Sequence, residues 1–317
     1  MKKLVSLVLA LMLCLSCVSA LAAEAWTVTC PWAPSGVAAM VNQKAASLST
    51  TYSQDYVLVA NAEKGDTATI NSWLTKYTEA DPQMCFIGEG MFGITAILDP
   101  ERMNFTYDDF EYVENLYSSI FVASARKELG ITSIDALKAY LEEGNQIMVG
   151  TNGATGSEAF LAAALIGAMG YGDQFYLIPY ESAAEAAQAV ARGEVDIAVS
   201  HQSQILETWQ QGGVDVFAAF DGEPIAQGPF KGVEGVGQYG YPYFRNRCFI
   251  FAKAGADEQK IADLKALYAQ ILTDEEMVDW LNNTMLLEAD MMTEEKVIAH
   301  IDNVKNIVEE YYDLVAE

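Results

Sequence analysis

The chain is poor in positive charge: 18 Lys and Arg stand against 44 Asp and Glu in 317 residues, a formal net charge of −26 at pH 7. So few cations cannot neutralise a phosphate backbone, which excludes nucleic acid as a principal partner. Histidines number two, His201 and His300, leaving few side chains that titrate near neutrality. Beyond residue 22 there is no G-x-S-x-G elbow, P-loop, H-E-x-x-H or C-x-x-C. No catalytic motif is therefore present, and no cofactor or metal is expected. His300 reads as part of the solvated face of a regular helix, and acidic pairs such as Asp108 and Asp109 as solvated charge rather than a catalytic dyad. Of the five cysteines, Cys30, Cys85 and Cys248 lie beyond residue 22. An odd set with this spacing is neither a disulfide scaffold nor a metal site. Buried thiols and a Cys30–Cys85 bridge both remain open.

What the chain does have begins with a leader. Lys2 and Lys3 precede an apolar run from Leu4 to Leu15, shorter than the roughly 20 residues of a membrane span. Ala20-Leu21-Ala22 then supplies a small-x-small cleavage pattern, so residues 1–22 read as an export signal and the mature protein as periplasmic. Cys17 keeps a second course open, lipid anchoring at the outer face of the cell membrane, although Cys14-Leu15-Ser16 makes an awkward lipobox. Cleavage after Ala22 leaves 16 Lys and Arg against 44 acids, a mature charge of −28.

With 51% apolar and 20% charged residues the chain can bury a sizeable core, and its length favours two lobes. Short apolar runs alternate with stretches of helical period, the pattern of an α/β fold on a mainly parallel sheet. Strands are expected at Trp26 to Cys30, Tyr56 to Ala60, Met84 to Ile87, Ile147 to Val149, Phe175 to Ile178, Val195 to Val199 and Cys248 to Ala252. Tyr112 to Ala125 is expected to be one extended run. Thr132, Ser182, Thr273 and Thr293 are expected helix caps. Extended segments near 115–125 and 247–253 suggest that the chain crosses twice between a lobe of 23–119 plus 250–317 and a lobe of 120–249. A double crossing is a hinge.

Two strand-to-helix turns carry the chemistry: Trp32-Ala33-Pro34-Ser35-Gly36 and Thr151-Asn152-Gly153-Ala154-Thr155-Gly156-Ser157. Unpaired N–H groups at a helix N-terminus stabilise an anion without Lys or Arg, and small residues let it approach. Ligands of open α/β sheets sit at the carboxyl ends of strands, where both turns lie. His201, at the end of Val195 to Val199, is a candidate contact.

The segment Val28-Thr29-Cys30-Pro31-Trp32-Ala33-Pro34-Ser35-Gly36 resembles the opening of the tripartite tricarboxylate transporter substrate-binding proteins, the Bug or TctC-like family. Asp81 to Gly88, Asp109-Phe110-Glu111-Tyr112-Val113, Thr132 to Leu137, Gly150 to Ser157, Pro179-Tyr180 and Gly193-Glu194-Val195-Asp196 resemble its later motifs in the same order. The resemblance implies a two-lobed type II periplasmic-binding-protein fold. Its two lobes would close on a small organic acid, and the protein, expected as a monomer, would deliver it to integral membrane transporter subunits. By the same resemblance Trp32 packs on the ligand while Ala33, Ser35 and Gly36 form one donor cradle. Asn152, Gly153, Thr155 and Ser157 form the other, and Tyr180, Ser200 and His201 line the second lobe. Glu181 stands where a Lys is common. Glu89 stands where a small or hydroxyl residue is common, and it either lines the pocket or points to solvent. Facing the pocket, it would favour an amino or hydroxy acid. A receptor for an amino acid or aromatic acid is thus the alternative, with a structural exported protein and an exported enzyme behind it.

Overall fold

The computed structural model describes residues 23–77, 84–154 and 156–314; the leader with Cys17, and Thr155, lie outside the described residues. Strands β1 (Glu24–Cys30), β2 (Tyr56–Ala62), β3 (Met84–Gly88), β4 (Phe110–Ser119) and β10 (Asn246–Lys253) form one sheet in the order β2-β1-β3-β10-β4. Strands β5 (Phe121–Arg126), β6 (Ile147–Asn152), β7 (Phe175–Tyr180), β8 (Ile197–His201) and β9 (Val214–Ala219) form a second in the order β7-β6-β8-β5-β9. The extended run over 112–125 is divided at Ile120, so that β4 ends one sheet's share of the chain and β5 opens the other's. In each sheet four strands run one way. The reversed strand, β5 or β10, is the one by which the chain enters that lobe.

Both sheets are covered on both faces, which is why β5 and β8 are buried almost throughout rather than alternating. Along β10, Cys248, Ile250 and Ala252 enter the core shared by helices α1 (Val37–Tyr52) and α7 (Glu258–Thr273). Phe249 and Phe251 enter the opposite, aromatic core with Ile70 and Trp73 of α2 (Thr67–Lys76). In the second lobe α3 (Ile134–Glu142) and α4 (Ser157–Ala168) cover one face, α5 (Ala183–Ala191) and α6 (Gln202–Gln210) the other. The last long helix, α8 (Glu294–Glu310), serves both lobes. Its Val297 and Ile301 belong to the aromatic core of the first lobe, its Val304 and Val308 to the core of the second. A Cβ on Gly93 would lie 2.7 Å from Val304 Cγ1, so the helical turn Gly90–Thr95 passes α8 at a distance only glycine allows.

Two caps fall one residue later than expected. Ser133, not Thr132, accepts from Ala136 N–H, and Asp274, not Thr273, accepts from Glu276 and Met277 N–H. In each case the capping residue is the one with extended backbone, as a cap requires. Ser182 caps α5 as expected, accepting from Glu185 N–H. Thr293 precedes α8 without a side-chain cap. His300 is not on a solvated face: Arg247 contacts its Nδ1 at 2.9 Å and burial lowers its pKa to about 3. Cys30 is a buried thiol that forms no bridge, and burial raises it to about 12.

Asp196, the last residue of the Gly193–Asp196 motif, ties three strands of the second sheet. Its carboxylate accepts from Arg126 Nε at 2.9 Å and from the Met148 N–H at 2.8 Å, with 8% of the side chain exposed. Losing it strands a half-buried guanidinium and a backbone donor. Asp196→Ala should therefore lower the unfolding free energy by about 2–4 kcal/mol. Urea unfolding checks this; a loss below about 1 kcal/mol would mean that the pair is effectively solvated.

Candidate functional site

The carboxyl ends of β1, β3, β6, β7 and β8 converge on one cavity of about 510 Å³ between the sheets, and the starts of β5 and β10 border it. Such convergence is where an open α/β sheet presents its turns. Of the residues singled out in the sequence, Trp32, Ala33, Gly36, Asn152, Gly153, Ser157, Tyr180 and His201 line this cavity. Ser35, Ser200 and Glu89 do not.

Each exception has a physical cause. Ser35 is at the exposed outer edge of its turn. Ser200 and His201 are successive residues of a strand, so their side chains point to opposite faces; His201 takes the cavity side and Ser200 is fully buried with an unpartnered Oγ. Glu89 lies behind the cavity wall and is 0% exposed. Its carboxyl accepts from Asn246 Nδ2 at 2.8 Å, from the Arg247 N–H at 2.7 Å and, across the lobes, from Ser157 Oγ at 3.5 Å. It faces neither the pocket nor solvent.

The first turn is held by residues that local pattern does not reveal. Asp66 occupies a backbone conformation rare for a side-chain-bearing residue, φ 51°, ψ −128°. From there its carboxylate accepts from Trp32 Nε1 at 3.2 Å and from Arg102 at 3.2 Å, setting the indole as one wall of the cavity. The turn also spends a donor on itself, because Gly36 N–H bonds Ala33 O at 2.8 Å. The second turn does the same: Gly153, at φ +74°, gives its N–H to Tyr180 O at 3.1 Å. Both glycines therefore shape the cavity with less free donor capacity than their positions suggest.

Glu158 is the functional candidate that the motif reading passed over. It lies one residue past the turn, is 6% exposed, and folds back so that its Oε2 lies 3.5 Å from where a Cβ on Gly156 would be. The residue lines the cavity. Burial, opposed by a hydrogen bond from its own N–H and reinforced by repulsion from Glu89, raises its pKa to about 7. Burial likewise raises Glu89 to about 7 against the hydrogen bonds it accepts. His201, with Nδ1 2.8 Å from Ser119 Oγ and its ring tilted against Phe121, is lowered to about 3 by burial and stays neutral. At the mouth Lys64 of the first lobe and Glu181 of the second form an ion pair at 2.8 Å. Among the described residues no group of three His, Cys, Asp or Glu could hold a metal ion, and no helix is long and apolar enough to cross a membrane.

The sequence model of the tripartite tricarboxylate transporter family receptor matches residues 54–309. The chain belongs to this family. Solved structures agree in fold across nearly the whole chain. The periplasmic binding protein BugD is 16% identical over 93% of this chain and 98% of its own, with a TM-score of 0.78. Rpa4515 of R. palustris with adipate is 15% identical over 92% and 97%, with a TM-score of 0.80. MatC from Rhodopseudomonas palustris with bound malate is 17% identical over 92% and 99%, with a TM-score of 0.75. At such identities the likeness is one of fold, and the fold of this family receptor is the two-lobed one of periplasmic binding proteins. No curated protein matches the chain by sequence.

Four of the buried titratable groups, Glu89, Glu158, His201 and His300, set a pH dependence between about 3 and about 7. Glu89 and Glu158 hold protons up to about 7 in the native state against 4.5 when exposed, so their contribution is full below 4.5 and is lost as pH rises to about 7. His201 and His300 stay neutral down to about 3 against 6.5 when exposed, so theirs is full above 6.5 and is lost as pH falls toward about 3. The two effects oppose each other between 4.5 and 6.5. Urea unfolding of this receptor across pH should show a plateau there, a fall from 6.5 to about 7 and a second fall below 4.5. A steady rise from 4.5 through 7 would contradict the placement of these groups.

Proposed function

We propose that the protein is an exported solute receptor that captures a small carboxylate-bearing metabolite between its lobes. It then passes that molecule to the integral membrane subunits of a tripartite tricarboxylate-type transporter. The observation that carries this reading is the cavity itself: turns from both lobes wall it, and the two chain crossings border it. At about 510 Å³ it suits a metabolite rather than a polymer. Two proteins of like fold hold adipate and malate, which are acids of that size.

Binding is the work of this site, not catalysis. The histidine that lines the cavity is held neutral by burial and its Nδ1 is engaged by Ser119, so it offers a fixed polar contact rather than a proton relay. The receptor acts as a monomer in the periplasm after loss of residues 1–22, or lipid-anchored through Cys17. Mass measurement of the mature N-terminus separates the two.

A ligand that touches both lobes stabilises the closed form and, by mass action, the fold: saturation at about 100 times Kd adds about 2.7 kcal/mol. A thermal-shift screen of carboxylic acids should therefore show a clear rise in Tm for the cognate acid. Because Trp32 walls the cavity, Trp32→Ala should weaken that acid by about tenfold or more, about 1.4 kcal/mol. Unchanged affinity in that variant would remove the cavity from the account.

A further inference from the structure

The cations of the cavity are already committed. Lys64 pairs with Glu181 at 2.8 Å, Arg102 with Asp66 at 3.2 Å, and Arg247 with Asp290 at 3.2 Å. Glu158 has no ion pair among the described residues, although it is buried and lines the same cavity. Its negative end is aimed at the turn that opens α4, where a second carboxylate would otherwise be expected to sit. A plain dianion placed across this cavity would meet a free cation at neither end and a carboxyl group at one.

Glu89 does not relieve this. Its own carboxyl is satisfied by Asn246, the Arg247 backbone and Ser157, and its field adds to that of Glu158. Above about pH 7, where Glu158 gives up its proton, hydrogen bonds from Asn152 and from its own N–H leave its charge without a cation, and a molecule that enters the cavity can bring one.

We infer that the captured solute is a zwitterion, an amino acid whose ammonium group meets Glu158 while its carboxylate lies toward the turn of residues 31–38. This rests on the receptor reading above and makes Glu158 the residue that selects for the amino group. The buried setting gives the contact its weight, since a charge pair excluded from water discriminates far more than one at the surface.

Calorimetric titration of the full mature protein tests the inference with matched probes at about pH 8, in two buffers of different ionisation enthalpy. The panel is the common amino acids and the plain mono- and dicarboxylates of the same chain lengths, such as glutamate beside glutarate and aspartate beside succinate. The expected result is an amino acid bound at least about tenfold more tightly than its plain counterpart, without proton uptake, and a preference that shrinks at least about fivefold in Glu158→Gln. A plain acid that binds as well as or better than every amino acid overturns the inference and leaves the receptor reading standing. Uptake of one proton per ligand would then show that a proton, not an ammonium, neutralises Glu158. A preference that Glu158→Gln leaves intact also overturns it. Binding of no acid at all overturns both readings, and the wild-type ranking decides the matter should the variant fail to fold.

Discussion

The cleft depends on one constraint of chain path: the backbone leaves the first lobe at Ile120 and returns to it before Asn246. The reversed strands β5 and β10 are the consequence, each lying fourth in its sheet beside the parallel trio. This places the carboxyl ends of the parallel strands of both lobes opposite one another. Glu89 stands at that junction. Its carboxyl joins β3, the start of β10 and the first residue of α4, so the wall of the cavity is also the seam of the two lobes.

What holds the lobes together without a ligand is modest. The Lys64–Glu181 pair is 56% and 79% exposed, so water screens it and it contributes little. The Ser157–Glu89 contact, at 3.5 Å, is long for a hydrogen bond. Helix α8 does more, because its apolar stripe enters both cores, but it tethers the lobes behind the cleft rather than across its mouth. In the proposed function closure comes from a molecule with contacts on both sides, since a ligand shifts a two-state balance only by its differential affinity.

Much of this was legible in the sequence, and for local reasons. Pro and Gly at 31–36 and Gly at 153 mark turns because they meet backbone demands, and the alternation of apolar runs marks the strands. The unread parts depend on contacts distant in sequence. The break at Ile120 interrupts a run that is buried on both sides and carries no Gly or Pro, so the sequence pattern gives no sign of it. Strand β9 follows Gly212-Gly213, and α6 is polar with only Gln202 and Ile205 buried, so neither has a strong periodic signal. His300 reads as solvated from its helix alone and is covered by Arg247 from another lobe boundary segment. Glu158 was passed over because motif boundaries stop at Ser157, while a side chain at the second helical position can turn back over the turn that precedes it. The acidity of the chain describes its surface, yet an acidic residue, Glu158, also lines the cleft.

Small-angle X-ray scattering of the mature protein, with and without a saturating cognate acid, tests capture by lobe closure most directly. Closure on the ligand should give a smaller radius of gyration and a shorter maximum dimension. A scattering profile that a tightly bound ligand leaves unchanged would contradict it.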